Sequence, residues 1–286
     1  MKVLILGCGY TGTRLAHWLL KRGTSVQITT RTGSALLGLD VPTYAFAYGD
    51  QTQPLASEAL VGVTHILSSI PPAKDGVDPV VALLLHTLQS LDLQWFGYLS
   101  TTGVYGDTQG AWVDETSELK PSNVRSQHRV NIEAKFLAAN LPTHIFRLPG
   151  IYGSGRSIFE RLQSGKIKHI DKPGHVFSRI HVDDIVQTVG TSMLNPNPTN
   201  IYNVADDEPS EPSTLIIKVH QLMGSPPPTA IPFDPEQMSP MAASFWKDCR
   251  RVSNQKIKED LGVELLYPTY REGLQAIWDA ARNRVL

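Results

Sequence analysis

Gly7, Gly9 and Gly12 stand at G-x-G-x-x-G spacing directly after the apolar run Val3-Leu4-Ile5-Leu6. Glycine at the first position allows a tight turn after a strand. At the second it lets the backbone approach a pyrophosphate, and at the third it lets the next helix pack closely on that strand. The helix start, Tyr10-Thr11-Gly12, then presents backbone N–H groups to an anion. Leu15, Leu19 and Leu20 supply the helical pattern that such a turn needs behind it. Gly7, Gly9, Tyr10, Thr11 and Gly12 are therefore expected to bind a dinucleotide cofactor.

The second strand-like stretch decides which dinucleotide. NAD-binding versions of this unit carry an acidic residue about 20 residues beyond the glycines, where it accepts from the ribose 2′-OH. Here the stretch ends Thr29-Thr30-Arg31-Thr32, without a carboxylate. Arg31 offers a guanidinium fork to a 2′-phosphate, and Thr30 and Thr32 add hydroxyls, which favours NADP over NAD. Asp50 either accepts from the adenine amino group or holds the turn Gly49-Asp50-Gln51. Ser68 and Ser69, before Ile70-Pro71-Pro72, are expected to run beside the cofactor.

The elements that must position these residues alternate. Strands are expected at 3–6, 25–30, 43–47, 65–69, 97–100 and 144–148, with helices at 11–22, 79–90 and 124–139. Short apolar strands separated by amphipathic segments indicate an α/β fold: a Rossmann-type, doubly wound parallel sheet, its ligand outside the carboxyl ends of the strands. The second half differs. Gly153-Ser154-Gly155-Arg156 reads as a loop, 157–163 as a short helix, 185–193 as an apolar helix and 201–204 as a strand returning to the sheet. The proline-rich stretch from Ser225 to Pro240 excludes a continuous helix and is either a flap or a connecting loop. A last helix follows Ser253 or Asn254 as N-cap and stops at Gly262. The expected organisation is a nucleotide-binding domain, 1–147 with 181–205 returning to it, and a smaller C-terminal substrate-binding region, 148–180 and 206–286.

Bulk properties narrow the function. The chain has 286 residues, with Lys+Arg 26 against Asp+Glu 27 and a formal net charge of -1, so no global field draws nucleic acid or an acidic membrane surface. Its two cysteines, Cys8 and Cys249, match no disulfide framework or zinc spacing, and no metal site is visible. The first strand begins at the second residue, so no leader is expected, and the longest strictly apolar run, 80–85, is too short for a bilayer. A cytoplasmic protein with a small-molecule substrate is expected.

Leu99-Ser100-Thr101-Thr102-Gly103-Val104-Tyr105-Gly106 resembles an extended short-chain dehydrogenase/reductase, the group of nucleotide-sugar epimerases, dehydratases and reductases. Arg147-Leu148-Pro149-Gly150-Ile151-Tyr152-Gly153, His181-Val182-Asp183-Asp184 and Tyr202-Asn203-Val204 follow in the expected order. Arg251-Val252-Ser253-Asn254 and Tyr267-Pro268-Thr269-Tyr270-Arg271-Glu272-Gly273-Leu274 are similar to an atypical bacterial branch, the YeeZ-like sugar epimerase proteins. The resemblance implies a Ser/Thr hydroxyl that orients the substrate oxygen, and a Tyr with a Lys four residues later that exchanges the proton. It places the hydroxyl at Thr101, the Tyr at Arg125 and the Lys at Arg129. It also implies cofactor contacts at Pro149 and Arg129, substrate contacts at Tyr152, Arg156 and His181, and pairing to a homodimer, common in the group.

Arg125 departs from that pattern: a guanidinium has no acceptor lone pair and cannot replace a phenol as acid/base. Arg129 still supplies charge to a cofactor ribose or a substrate phosphate. The proton is then left to His128, on nearly the same helical face as Arg125, or to Tyr105, Tyr152 or His181. Each has a structural alternative: a packed tyrosine, a solvated histidine, or, beside His181, Asp183 or Asp184 capping the next helix. Arg147, Arg156, Arg250 and Arg251 could meet a substrate phosphate or simply lie on the surface. Two functions follow: an NADP-dependent oxidoreductase or epimerase on a sugar-like or other hydroxy/keto substrate, or a non-catalytic NADP(H) sensor.

Overall fold

The computed structural model describes residues 1–163, 165, 168–195 and 199–283. In chain order the elements are β1 (Lys2–Leu6), α1 (Tyr10–Leu20), β2 (Ser25–Thr30), β3 (Thr43–Ala45), β4 (His65–Ser68), α2 (Pro79–Leu83), α3 (Leu85–Gln89) and β5 (Trp95–Thr101). β6 (Trp112–Val113), α4 (Val124–Leu137), β7 (Thr143–Leu148), β8 (Gly150–Tyr152), α5 (Ile158–Gln163), β9 (Ile170–Asp171), β10 (Arg179–His181) and α6 (Val182–Leu194) follow. The chain continues through β11 (Asn200–Asn203), α7 (Pro212–Met223), β12 (Ile231–Pro232), α8 (Pro240–Phe245), β13 (Arg251–Val252), α9 (Gln255–Leu261) and α10 (Tyr270–Arg282).

Two compact units emerge. The first comprises Met1–Val104, Asn123–Arg147 and Ile185–Tyr202, the second Tyr105–Ser122, Leu148–Asp184 and Asn203–Leu286. The stretch 105–122, which the motif order assigns to the nucleotide-binding half, thus sits in the second unit.

The first unit is built on a seven-stranded sheet in the order β11-β7-β5-β4-β1-β2-β3. β1 pairs in parallel with β2 and β4, as do β2 with β3 and β4 with β5. The order reverses at β1, the topological switch point where doubly wound sheets bind ligands. Leu4, Leu6, Ile66, Phe96 and Ile145 project into one core, against Val80, Leu84, Leu88, Ile132 and Phe136. The strand expected at 43–47 stops at Ala45, and Ala47 instead bridges to Gln53. The single helix expected at 79–90 is two, with the break at Leu84. Leu83, Leu84 and Leu85 all pack on the same cluster, which consecutive positions of one regular helix cannot do. Asp78 caps α2 through Val80 and Val81 N–H at 2.8 and 3.0 Å, and Asn123 caps α4 through Ser126 N–H at 3.0 Å.

The second unit carries three two-stranded parallel pairs, β8 with β10, β9 with β12 and β6 with β13. Its core gathers Tyr152, Phe159, Val219, Tyr270, Leu274 and Ile277. The proline-rich stretch contributes the two-residue strand β12, which pairs with β9. Asn254 is the N-cap residue of α9 but its side chain makes no cap bond; its Nδ2 donates to Ala205 O and Asp207 Oδ1 at 2.8 and 2.6 Å. Gly262 ends that helix at φ +62°. No helix among the described residues is long and apolar enough to cross a membrane.

One contact in the first unit is tight enough to test. Gly190 of α6 lies under the Trp18 indole of α1, where a Cβ would come within 2.5 Å of the ring. Gly190→Ala should therefore lower stability by about 1–2 kcal/mol in urea unfolding, overriding the ~1 kcal/mol that alanine ordinarily gains over glycine inside a helix.

Candidate active site

The glycine turn shows three distinct geometries. Gly7 turns at φ +79°, and a Cβ there would strike Ile70. Gly9 opens α1 without a side-chain cap, and a Cβ there would meet nothing within 4 Å. At Gly12 a Cβ would lie 3.2 Å from Ile5 and 3.5 Å from Gly7 O, so the helix rests directly on the strand. Tyr10 and Thr11 form the first turn, Thr11 being buried and Tyr10 lying under the Arg14 guanidinium at 4.3 Å.

Side chains fix this turn to both neighbouring strands. Gly7 N–H donates to Thr29 Oγ1 and Cys8 N–H to Thr29 O, each at 2.9 Å, while Ser69 Oγ donates to Gly7 O at 2.7 Å. Ser69 is thus a brace of the turn. Ser68 is fully buried with an unpartnered hydroxyl. Beyond β2, Arg31 is exposed, and the loop around it is held by Thr30 Oγ1 to Ser34 O at 3.2 Å and Thr32 Oγ1 to Ser34 Oγ at 2.8 Å. Asp50 sits exposed on a turn closed by Gly49 and Thr52, which is its structural alternative.

β5 and α4 bring the expected catalytic positions together. Thr101 is half-buried, its Oγ1 accepting from Gly103 N–H at 3.1 Å. Arg125 is exposed. The half-buried His128 ring lies over Gly76, where a Cβ would come within 2.5 Å of Nε2. Arg129 turns back into the fold: Nη1 donates to Tyr98 Oη at 2.7 Å and Leu99 O at 2.8 Å. Burial drives the Tyr98 phenol well above its ordinary range, and the nearby Arg129 charge only partly opposes this. Ser100 and Arg147 converge on Glu133, a constellation that motif reading missed; its signal is a charge placed within the otherwise apolar Ile145-Phe146-Arg147-Leu148 strand.

Several residues expected at the ligand make contacts within the fold. Tyr105 is 1% exposed and its hydroxyl donates to Asn203 Oδ1 at 2.7 Å. His181 is buried between Tyr152 and Tyr267, with ring centroids at 5.2 and 4.0 Å, and its Nδ1 accepts from Asp183 N–H at 3.2 Å. That bond ties the ring to the start of α6. Asp184, in the first turn of α6, also reaches away from the helix: its carboxylate accepts from Leu266 and Tyr267 N–H at 2.6 and 3.2 Å. Tyr152 is buried against Gly273, and burial beside Asp206 and Asp184 raises its phenol far above neutral pH. Arg147 is paired internally, Arg250 holds Gly106 O and Asp248, and Arg251 holds Gly110 O, so their folded contacts are local ones. Arg156 is exposed on the turn closed by its own N–H to Gly153 O, and Pro149 links β7 to β8.

The second unit also holds an open pocket of about 300 Å³, lined by Asp107, Gln109, Lys172, His175, Lys247 and Cys249. Burial and the Lys172 charge push the His175 imidazole down to about 4, so it is neutral at pH 7. Among the described residues no group of three or more His, Cys, Asp or Glu could hold a metal ion.

Comparison with known proteins places this geometry. No family model matches the chain, and no curated protein does. A solved structure of a functionally unknown conserved protein from Silicibacter pomeroyi shares 43% identity over 98% of both chains, with a TM-score of 0.89. This chain belongs to that family. A UDP-glucose 4-epimerase with UDP-glucose from Thermotoga maritima matches over 100% of both chains at 19% identity and a TM-score of 0.79. A dTDP-glucose 4,6-dehydratase with NAD from Bacillus anthracis matches at 17% identity over 99% of this chain and 97% of its own, with a TM-score of 0.76. These epimerase and dehydratase structures share the chain's fold.

Within that fold, Asp206 of the second unit carries an unusual charge state. It is 1% exposed, Oδ1 accepts from Glu208 N–H at 3.3 Å and Oδ2 has no partner. Burial pushes its carboxyl up to about 8 despite the opposing Arg179 charge. A carboxyl raised on folding keeps a proton that the unfolded chain releases at its ordinary value of 3.8. Stability from this group is therefore present below about pH 4 and is lost as pH rises towards about 8. Asp206→Asn should flatten that decline by ~1–3 kcal/mol in urea unfolding followed across the same window.

Proposed function

We propose that the chain is an NADP-dependent oxidoreductase or epimerase of the epimerase/dehydratase type, acting on a sugar-like or other hydroxy/keto small molecule. The observation that carries this reading is the turn at Gly7, Gly9 and Gly12. It is open at Gly9, backed by the uncapped start of α1, and lies at the sheet's topological switch point. Those features fit a pyrophosphate, and the exposed Arg31 with Thr30 and Thr32 fits a 2′-phosphate. The relatives named above support the class, one holding UDP-glucose and one NAD. The C-terminal motifs support placement in the YeeZ-like branch, and charge and composition support a cytoplasmic protein with neither nucleic acid nor membrane as partner.

In this reading Gly7, Gly9, Tyr10, Thr11 and Gly12 hold the pyrophosphate, Arg31 reads the 2′-phosphate, and Asp50, Ser68 and Pro149 border the cofactor. A bound nicotinamide would supply the two-electron donor or acceptor. Thr101 orients the substrate oxygen, and His128, an imidazole able both to accept and to donate, carries the proton. Tyr152 and His181 shape the second unit from within, where Arg156 is exposed and Lys172 and Lys247 line the open pocket.

A second reading, an NADP(H)-binding sensor without turnover, is favoured by one observation: Arg125 cannot exchange a proton, and Arg129 is bonded to Tyr98 and Leu99. Screening nucleotide-sugars and small carbonyls while following nicotinamide absorbance separates the two. Turnover that Thr101→Val and His128→Asn each cut about 10²-fold supports the enzyme. Tight NADPH binding with no turnover, and activity only after Arg125→Tyr with Arg129→Lys, supports the sensor.

Cofactor preference is a separate expectation. Removing a charge-assisted contact costs about 1.5–3 kcal/mol, so Arg31→Ala should weaken NADPH about 10–100-fold in a fluorescence titration and leave NADH nearly unchanged. Equal losses for both cofactors would refute NADP selectivity through Arg31.

A further inference from the structure

Glu133 and Arg147 are 2% and 3% exposed, and their side chains meet at 2.7 Å. Taking two charges out of water costs several kcal/mol each, and apolar residues of similar volume commonly fill such a place with equal or greater stability. What the pair provides in addition is geometry. Glu133 Oε2 accepts from Arg147 Nη2 at 2.7 Å and Nε at 3.2 Å, and Oε1 accepts from Ser100 Oγ at 2.5 Å. One carboxylate thus joins α4, β7 and the end of β5.

Ser100 directly precedes Thr101. Strand periodicity turns Tyr98 and Ser100 to the same face of β5, and α4 holds both: Tyr98 through Arg129, Ser100 through Glu133. Arg129 and Glu133 are four residues apart, hence neighbours on one helix face. The carboxyl end of β5 is therefore fixed at two points to the helix that carries His128, and Gly103 N–H completes the arrangement by fixing Thr101 Oγ1.

Resting on the reading of Thr101 and His128 as the reacting pair, we propose that Glu133 is a positioning residue. It acts through Ser100 and Arg147 to set Thr101 relative to α4, without touching substrate or cofactor.

The test uses two variants of the full chain. Glu133→Leu with Arg147→Met removes both charges together and leaves neither buried alone. Ser100→Ala removes only the donor beside Thr101 and keeps the ion pair. Both should bind NADPH within about threefold of wild type, with KM unchanged and kcat lowered about 10–100-fold, and Ser100→Thr should restore kcat. Hydrogen exchange gives a readout independent of substrate: the Gly103 amide should exchange about tenfold faster in both variants while their urea midpoints stay within the wild-type range. Wild-type kcat and wild-type Gly103 exchange in either folded variant overturn the proposal. If the double variant does not fold, Ser100→Ala decides alone. A wild-type chain that turns over no substrate refutes the functional reading, whereas Gly103 exchange still decides the positioning claim.

Discussion

At Gly7 the backbone leaves β1 with φ +79°, a conformation that L side chains rarely adopt. The turn is held from both sides, by Thr29 of β2 and by Ser69 directly after β4. This brace places the start of α1 at the carboxyl end of β1, inside the sheet, and leaves the face of Gly9 open. Were the turn to relax, the helix could not rest on Ile5 at the distance that Gly12 allows, and the N–H groups of α1 would no longer point out from the strand ends. The site in the first unit depends on that brace before it depends on any functional side chain.

α4 poses a second constraint, because the pattern it resembles has a phenol and an ammonium where this chain has two guanidiniums. A guanidinium is a rigid fork of donors with no acceptor, well suited to binding several oxygens at once and unsuited to proton exchange. Arg129 behaves accordingly, tying Tyr98 and Leu99 to the helix, and Arg147 does the same through Glu133. Arg129 and Arg147 are thus hydrogen-bonded within the first unit, whereas Arg31 and Arg125 are exposed.

Much of this was legible in the sequence because it obeys local rules. Apolar runs bounded by turns marked β1, β2, β4, β5 and β7, and glycine spacing marked the turn, since φ and close packing act on single residues. The side-chain partners were not legible, because they depend on which distant residues the fold brings together. Glu133, which no motif singled out, meets Ser100 and Arg147, which are 33 and 14 positions away. His181 looked available to a ligand, yet Tyr152 and Tyr267 enclose it. The split helix at Leu84 escaped for a related reason: three consecutive leucines all find core partners, and tertiary packing overrides the helical period.

Exclusion also narrows the proton carrier. Tyr98 and Tyr105 are buried, the first bonded to Arg129 and the second to Asn203, and burial raises the phenols of Tyr98 and Tyr152 away from neutral pH. A phenol in that condition holds its proton more firmly than a solvated one, the opposite of what proton exchange requires. A threonine hydroxyl such as that of Thr101 is too weak an acid to exchange its proton near neutrality. Of the residues considered, His128 alone combines an exchangeable ring proton, partial exposure and a place on the helix beside β5. Its ring packs over Gly76, in the loop that follows Ile70-Pro71-Pro72, and any side chain at 76 would displace it. The glycine at 76 thus serves His128 as Gly12 serves the helix: it leaves space that a neighbouring group occupies.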